Sequence, residues 1–319
     1  MKLTRFGMMF SFGILLVLAI FKTRGDAQPN SVSEVVKGVW FRQGDLMQGH
    51  CNNTVIEMKD SLVLIDANYP SGARAVMEDI KKLSDKPVKY VFDTHHHGDH
   101  AYGNIVWTRV GAITLAYEAV AEEMKRYEPK RWQEEKRKDV TELDQPSVEP
   151  PKQTFSKSPY VIEDETRRIE FHFLGWAHTR GDGFAWLPKD KVLATGDAAT
   201  NGPYNNVADA NMGNWPKVMA KALKLNPVHV LPGHGMRGGM EILQGQMLFF
   251  EETLKAVAAE IKKGKRLEEV VTYDGARAKS TTIQIAEGAK KWVGRDFPGQ
   301  VATAFKEVSQ KTPAGDLPH

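Results

Sequence analysis

Short runs rich in β-branched and aromatic residues alternate along the chain with longer stretches in which apolar residues recur at helical spacing. Runs of the first kind, bounded by turn residues, are typical of strands, and a three-to-four-residue period is typical of amphipathic helices. The alternation predicts a mixed α/β fold. The predicted strands are 36–42, 54–58, 62–65, 88–92, 113–115, 169–174, 184–187, 192–194 and 228–231, the second and third forming a hairpin.

Helical spacing is found in four longer stretches of the chain. The first predicted helix covers 71–83, with Ser71 as its N-cap. The second, 117–138, is dense in Glu, Lys and Arg, and a proline-rich connection follows it. This charge pattern favours a solvated, exposed helix over a partner-binding one. The remaining helical stretches are 240–263 and 281–311.

The first 27 residues differ from the rest of the chain. Basic residues precede an almost wholly apolar run at 6–21, and the small residues Gly25 and Ala27 follow it. This order is typical of a secretory signal peptide, so we expect residues 1–27 to be removed and the protein to be periplasmic or secreted. An uncleaved membrane anchor is the alternative, although the run is shorter than the ~20 residues that span a bilayer comfortably.

The composition is that of an ordinary globular protein, with 26% charged and 41% apolar residues, which excludes a disordered, collagen-like or coiled-coil chain. The net charge of +3 argues against a nucleic-acid partner, because phosphate binding needs a concentrated basic surface. The single cysteine, Cys51, excludes an internal disulfide. We expect residues 28–319 to form one catalytic domain with C-terminal helices from about position 240; the sequence leaves the oligomeric state open.

Candidate metal chemistry is concentrated directly after the predicted strand 88–92. Four imidazoles and one carboxylate lie within six positions: His95, His96, His97, Asp99 and His100. Such crowding is costly unless a cation binds, and imidazole and carboxylate are ligands that zinc and similar divalent metals prefer. In an extended turn, His95 and His97 would face one ion. Asp99 and His100 would then reach a second.

Three further candidate ligands each follow a predicted strand. His178 follows 169–174, Asp197 lies in Thr-Gly-Asp, and His234 lies in Pro-Gly-His-Gly. In open α/β sheets, residues beyond the carboxyl ends of strands converge on one edge, so we expect these side chains to meet the histidine cluster. The neighbouring glycines permit the tight turns that aim short side chains inward.

The candidate ligands form an ordered set: His95-x-His97-x-Asp99-His100, then His178 in Ala-His-Thr, Asp197 in Thr-Gly-Asp and His234 in Pro-Gly-His-Gly. This set resembles the metallo-β-lactamase superfamily of binuclear metal hydrolases, over about residues 36–239. The resemblance implies an αββα sandwich of two mixed β-sheets flanked by helices, and two divalent ions, for which zinc is expected. One ion would be held by His95, His97 and His178. The other would be held by Asp99, His100 and His234, with Asp197 bridging the two. Asp66 matches an early aspartate that supports the site from behind, although a plain turn role is the alternative.

The resemblance also narrows the branch of the family. Cys51 lies upstream of every candidate ligand, so the branches with a cysteine ligand near Asp197, classes B1 and B2, are not expected. A bridging Asp197 is typical of glyoxalase II, lactonases and their exported relatives. The implied reaction is attack by a hydroxide held between the metals on an ester, lactone, thioester or amide-like bond. Asp99 would act as general acid or base, or as a ligand only. A B3-like metallo-β-lactamase is one alternative, and a mononuclear iron oxygenase of the persulfide dioxygenase type is another.

The loop after Asp197 is the candidate substrate-binding segment. It is rich in asparagine and has no lysine or arginine before Lys217, which disfavours a glutathione thioester. Tyr204 and Asn205 would hydrogen-bond a neutral substrate, although an asparagine-rich loop also serves simply as a turn. The expected partner is a small molecule, with no nucleic acid, and no membrane after signal cleavage.

Overall fold

Two mixed β-sheets lie face to face in the structure, a computed structural model that describes residues 28–317. The predicted signal peptide lies outside the described residues. No helix within 28–317 has the length and apolar character that crossing a membrane requires.

The first sheet has seven strands in the order β1 to β7, antiparallel from β1 to β4 and parallel from β4 to β7. These strands are β1 (Val32–Val36), β2 (Val39–Arg42), β3 (Asn53–Glu57), β4 (Leu62–Ile65), β5 (Val88–Phe92), β6 (Ile113–Tyr117) and β7 (Gln153–Phe155). The second sheet has the order β12-β11-β10-β9-β8, and only its β11–β12 pair is parallel. Its strands are β8 (Tyr160–Glu163), β9 (Arg168–Phe173), β10 (Gly183–Leu187), β11 (Val192–Gly196) and β12 (His229–Pro232). A separate hairpin pairs β13 (Val271–Asp274) with β14 (Arg277–Thr281).

Helices cover the outer face of each sheet. They are α1 (Pro70–Ile80), α2 (Gly98–Ala101), α3 (Asn104–Thr108), α4 (Glu118–Glu134), α5 (Lys138–Thr141), α6 (Trp215–Lys224), α7 (Met240–Lys262) and α8 (Phe297–Gln310). α1 and α3 pack on the first sheet, and α6, α7 and α8 lie on the side of the second. Because both faces of each sheet are buried, the inner strands are continuously apolar, as β4 shows over all four of its residues.

The largest cluster of buried apolar residues lies between the second sheet and its helices, and another lies between the two sheets. The rings of Phe92 on β5 and Phe171 on β9 meet there with their centroids 4.3 Å apart. The side chains of successive residues of β10 point to opposite faces of the sheet: Phe184 packs toward the helices and Ala185 toward the other sheet. The predicted αββα sandwich of two mixed sheets is confirmed.

Several predicted elements have different bounds. The strand predicted at 36–42 is the second half of a hairpin, because the chain reverses at Gly38 with a φ of +73°. The predicted cap at Ser71 is wrong: α1 begins one residue earlier at Pro70, and the Ser71 amide donates to Asp139 instead. The helix predicted over 281–311 is continuous only from Phe297.

The charged segment predicted as a long exposed helix forms α4 and the short α5. One face of α4 is buried, and it includes Glu123, Glu128 and Trp132. The expectation of a wholly solvated helix is therefore wrong, because charged side chains on this face have buried partners that a charge count does not reveal. α4 lies beside the candidate site described next.

Candidate metal centre

The predicted ligands gather at one edge of the sandwich. β9 and β11 are both antiparallel to β10, and β12 is parallel to β11. The carboxyl ends of β9, β11 and β12 therefore lie at the same edge of the sheet. The chain that follows these strands brings His178, Asp197 and His234 to the turn after β5, which carries His95. The convergence expected from the sequence is therefore present for all seven candidate ligands.

Two groups of three side chains make up the cluster. In the first, one nitrogen from each of His95, His97 and His178 lies within 4.8 Å of the others, and His97 Nδ1 is 3.0 Å from His178 Nε2. The second group contains Asp99, His100 and His234. Asp99 Oδ2 lies 2.9 Å from Nε2 of His234 and 3.4 Å from Nε2 of His100.

Asp197 lies between the two groups. Its Oδ1 is 3.4 Å from Nε2 of His100, and its Oδ2 is 3.5 Å from Nε2 of His234 and 3.9 Å from Nε2 of His178. One carboxylate thus reaches histidines of both groups, which is the position that a bridging ligand needs.

His95 and His178 each have one ring nitrogen held by an outer partner. His95 Nδ1 lies 3.1 Å from the hydroxyl of Thr94, and His178 Nδ1 donates to the carbonyl of Asn206 at 3.0 Å. The Nε2 atom of each ring faces the other candidate ligands. Histidines that bind metals are held in this way, because the outer contact fixes the tautomer and the ring orientation.

A buried carboxylate holds His97 by the same means. His97 Nε2 donates to Asp209 Oδ2 at 2.8 Å, and the guanidinium of Arg131 donates to both oxygens of Asp209 at 2.8 and 2.9 Å. His96, between two candidate ligands in the sequence, turns away from the cluster and lies 3.1 Å from Arg131. Burial opposes the charge of Asp209, but hydrogen bonds with the two histidines, together with Arg131, hold its pKa well below the ordinary value.

Asp66 supports His100 from behind the cluster. Its Oδ2 is 2.9 Å from Nδ1 of His100, and its Oδ1 accepts from the amide and the hydroxyl of Thr94. Its φ of +67° also places it in a tight turn, so both expected roles coexist. Beside it lies the buried thiol of Cys51, whose pKa is raised to about 12 by burial.

The electrostatics of the cluster suit a divalent cation. Burial, and then the neighbouring imidazoles, keep the pKa values of His95 and His178 well below the ordinary value, so both rings are neutral donors. The buried polar atoms that have no hydrogen-bond partner among the described residues include His95 Nε2, His100 Nε2 and Asp197 Oδ1. Unpartnered buried polar atoms are costly, and a bound metal ion would satisfy all three.

Tight turns place the ligands that follow the strands. A Cβ atom at Gly233 would lie 2.1 Å from Asp197 Oδ1, so only glycine lets the His234 turn pass so close to the carboxylate. The His178 turn is held by the buried Asp182, which accepts hydrogen bonds from the amides of Ala177, His178 and Thr179. Nothing in the sequence analysis identified Asp182, although its place four residues after His178 is a local signal for such a turn.

A cavity of about 460 Å³ opens onto the cluster. α4 contributes Glu128 and Arg131 to its wall, and the hydroxyl of Tyr102 donates to Glu128. Tyr204 lines the cavity, as expected for a substrate contact. Asn205 lines a neighbouring cavity, and its buried side chain also holds the loop in place, since its Oδ1 accepts from Gln246 at 2.7 Å.

The outer partners Asp209 and Arg131 were missed by the sequence analysis. Asp209 lies in a loop with no histidine nearby in the sequence, and Arg131 is one of many charged residues of α4. Neither carries a local signal for this role, because Arg131 and Asp209 lie 78 positions apart and His97 and Asp209 lie 112 positions apart.

Known proteins resemble this chain in sequence. A sequence profile described as the metallo-beta-lactamase superfamily matches residues 46–234. Metallo-beta-lactamase IND-1 of Chryseobacterium indologenes is 28% identical over 191 residues, which cover 57% of this chain and 71% of that protein. Metallo-beta-lactamase type 2 of Bacteroides fragilis is 31% identical over 83 residues, 24% of this chain and 32% of that protein.

Solved structures share the fold. A metallo-beta-lactamase from Pontibacter korlensis superposes with a TM-score of 0.57 at 21% identity, covering 69% of this chain and 98% of its own. The DIM-1 metallo-beta-lactamase exposed to ceftazidime gives a TM-score of 0.57 at 19% identity, with coverage of 71% and 98%. In both cases the superposition leaves out more than a quarter of this chain.

Proposed function

The chain belongs to the metallo-β-lactamase superfamily, and on that premise we propose that it is an exported, zinc-dependent hydrolase of small molecules. It cleaves an ester, lactone, thioester or amide-like bond. One observation carries the proposal: four imidazoles, those of His95, His97, His100 and His178, each have one nitrogen at an outer partner and the other toward the groups around Asp197. An arrangement of this kind is what a pre-formed metal site requires.

The donor set supports two zinc ions. Three imidazoles, those of His95, His97 and His178, would hold one ion, and nitrogen donors of this type suit zinc. Asp99, His100 and His234 would hold the other, with Asp197 shared between the two.

The chemistry needs few further groups from the protein. Two divalent ions, when bound, supply a water molecule acidified to near-neutral pKa and a Lewis acid for the carbonyl oxygen. Asp99 lines the cavity with 23% of its side chain exposed, so its carboxylate can accept a proton from water and pass it to the leaving group. Tyr204, which lines the same cavity with its ring 5.9 Å from that of His234, would orient the substrate.

The cavity favours an uncharged substrate. Arg131 is the one lysine or arginine among the described residues that line it, and its guanidinium is already engaged by Asp209 and Glu128. A substrate carboxylate would therefore lack a free cationic partner from the protein. This supports a neutral ester, lactone or amide over a glutathione thioester.

A substrate panel tests the proposal. Zinc-loaded and metal-free protein would be assayed with a p-nitrophenyl ester, a γ-lactone, a thioester, nitrocefin and a phosphodiester. We expect turnover of at least one carbonyl substrate that depends on zinc, and a large loss in Asp99→Asn. Protein with two bound zinc ions that hydrolyses none of these carbonyl compounds would contradict the proposal.

β-Lactam hydrolysis is the second candidate, favoured by the fact that the curated relatives IND-1 and the Bacteroides fragilis enzyme are named metallo-beta-lactamases. Nitrocefin turnover in the same panel would identify it. Elemental analysis of the purified protein separates both candidates from an oxygenase. One iron per chain together with thiol-dependent oxygen uptake would show that the protein is an oxygenase and not a hydrolase.

A further inference from the structure

A second cavity adjoins the one above the metal cluster. It has a volume of about 640 Å³ and shares Tyr204, Asn206 and His234 with the first cavity. The two cavities therefore border on each other at these three residues. We call the second one the arm cavity.

The far wall of the arm cavity comes from the C-terminal part of the chain. Gly294, Gly299, Gln300 and Thr303 line it, the last three from α8. All four lie beyond residue 234, where the match to the superfamily profile ends. This wall is thus specific to the C-terminal segment of this protein.

The same helix fixes the facing loop. Gln300 donates to the backbone carbonyl of Asn205 at 2.5 Å, and the buried Glu307 accepts from the amides of Met212 and Gly213. Both walls are consequently held by direct hydrogen bonds. A cavity built in this way is pre-formed, which is typical of small-molecule sites in this range of volume.

The lining indicates an uncharged, largely apolar occupant. Leu46, Pro203, Val207 and Ala208 supply apolar surface, and no lysine or arginine is among the described residues that line the cavity. Its one carboxylate, Asp296, is 82% exposed and lies 3.6 Å from Arg277. A carboxylate or phosphate on the occupant would find no cation in this lining and one acidic residue.

From this geometry we propose that the arm cavity binds the uncharged acyl chain of the substrate while its carbonyl lies at the metal cluster. The inference rests on the proposed function and specifies its substrate class as acyl compounds with a medium-length apolar chain. α8 is then the element that determines chain-length specificity.

Gly299 offers a direct way to fill the arm cavity. A Cβ atom added there would meet no heavy atom within 4 Å, so Gly299→Leu adds bulk without a clash and replaces a poor helix former. Thr303→Phe, one turn further along the same face of α8, is the second filling variant. Ser309→Leu adds the same side chain as the first variant at an exposed position of the same helix and serves as the matched control.

Binding is measured with three amide probes by calorimetry on zinc-loaded protein: acetamide, octanamide, and octanamide with a terminal carboxylate. We expect octanamide to bind at least tenfold more tightly than acetamide, because the longer chain buries more apolar surface. The terminal carboxylate of the third probe should remove this gain in affinity. Both filling variants should bind octanamide at least tenfold more weakly than wild type and Ser309→Leu. Equal affinities for octanamide and acetamide, or filling variants that are folded and bind octanamide as wild type does, would overturn the inference.

Kinetics then separate this inference from the proposed function. We expect kcat/KM for p-nitrophenyl octanoate to exceed that for the acetate, and Gly299→Leu to abolish the difference while turnover of the acetate persists. Equal kcat/KM values for the two esters in wild type would overturn the arm cavity and leave hydrolysis standing. Selective octanamide binding, lost in Gly299→Leu, in a zinc-loaded protein that hydrolyses none of the carbonyl compounds of the substrate panel would overturn the proposed function and support the arm cavity.

Discussion

His97 and Asp209, 112 positions apart in the sequence, share a hydrogen bond of 2.8 Å between Nε2 and Oδ2. Asp209 in turn accepts two hydrogen bonds from Arg131 on α4. A candidate ligand is thereby tied to a helix that the sequence presents as ordinary charged surface. The rotation of the His97 ring depends on this buried chain of contacts.

Asp209→Asn should weaken zinc binding by about 10–100-fold, the usual effect of removing a carboxylate behind a ligating histidine. The amide cannot balance Arg131 and is a weaker acceptor for His97. Zinc affinity would be measured by competition with a chromophoric chelator. Asp274→Asn, which makes the same change at an exposed carboxylate, is the control. A folded Asp209→Asn protein with wild-type zinc affinity would contradict the role of Asp209.

Asp197→Asn should keep the fold but lose much of the bound metal, because a neutral amide is a poor bridging ligand. Asp93→Asn is the matched control, since Asp93 is equally buried and burial raises its pKa well above the ordinary value, so an amide mimics its protonated form. Metal content by mass spectrometry under native conditions checks both. Two tightly held ions and unchanged turnover in Asp197→Asn would rule out bridging.

His96→Ala should retain its metal content. Nε2 of His96 faces Arg131 and Asp209 and not the groups around Asp197. The variant removes a buried ring, so some loss of thermal stability is expected without loss of zinc per folded molecule. Substantial metal loss from the folded protein would show that His96 belongs to the ligand set.

Glu123 predicts a pH dependence of stability. Burial raises its pKa to about 7, against the opposing effect of Arg180 and Arg126. Because the folded state holds this proton more tightly than the unfolded state, the free energy of unfolding should fall as pH rises from about 4.5 to about 7. Glu123→Gln should flatten this part of the profile, and Glu122→Gln, at an exposed position of α4, should not. Urea unfolding of metal-free protein at several pH values gives the comparison; superimposable profiles for wild type and Glu123→Gln would refute it.

Tyr204→Phe should lower kcat/KM for the preferred substrate by about tenfold, the effect of a lost hydrogen bond of roughly 0.5–1.5 kcal/mol. Tyr204 lines both cavities and is not among the metal-binding groups, so zinc content should stay the same. Tyr273→Phe, which removes a hydroxyl from β13, is the control. Unchanged kcat/KM across the substrate panel would place the Tyr204 hydroxyl outside the reaction.

Expression of the full sequence in a bacterial host should yield a protein that begins near Gln28, because Gly25 and Ala27 present small side chains to a signal peptidase. Amino-terminal sequencing of the mature product tests this. Intact Met1 on a membrane-bound product would favour the anchor.

The candidate metal ligands could be selected from the sequence because each carries a local signal. His95, His97 and their neighbours are crowded after a strand, and Asp197 and His234 lie in glycine-flanked turns that follow strands. The order of the strands then brings these residues together, because residues that follow the carboxyl ends of strands running in the same direction lie at the same edge of the sheet. The central strands β4 and β5 were predicted with their observed bounds. β4 is apolar throughout because it is buried along its whole length, and in β5 only Lys89 interrupts the run of β-branched and aromatic residues.

The short edge strands and the second layer of the site were not predictable in the same way. β7, β8, β13 and β14 are three to five residues long and partly exposed, so their sequences lack a clear alternation. Asn205 is an example in the site: nothing in the sequence shows that its side chain accepts a hydrogen bond from Gln246, 41 positions away.

The sequence by itself determined the fold class and the candidate metal ligands, because both follow from local apolar patterning and from residue types placed after strands. Tertiary structure alone decided that Asp209 and Arg131 hold His97, that α4 lines the first cavity, and that α8 closes the second. These relationships join residues about 80 to 110 positions apart through helix packing. No local pattern encodes them, since a buried charge and a solvated one look the same until the neighbouring helix is in place.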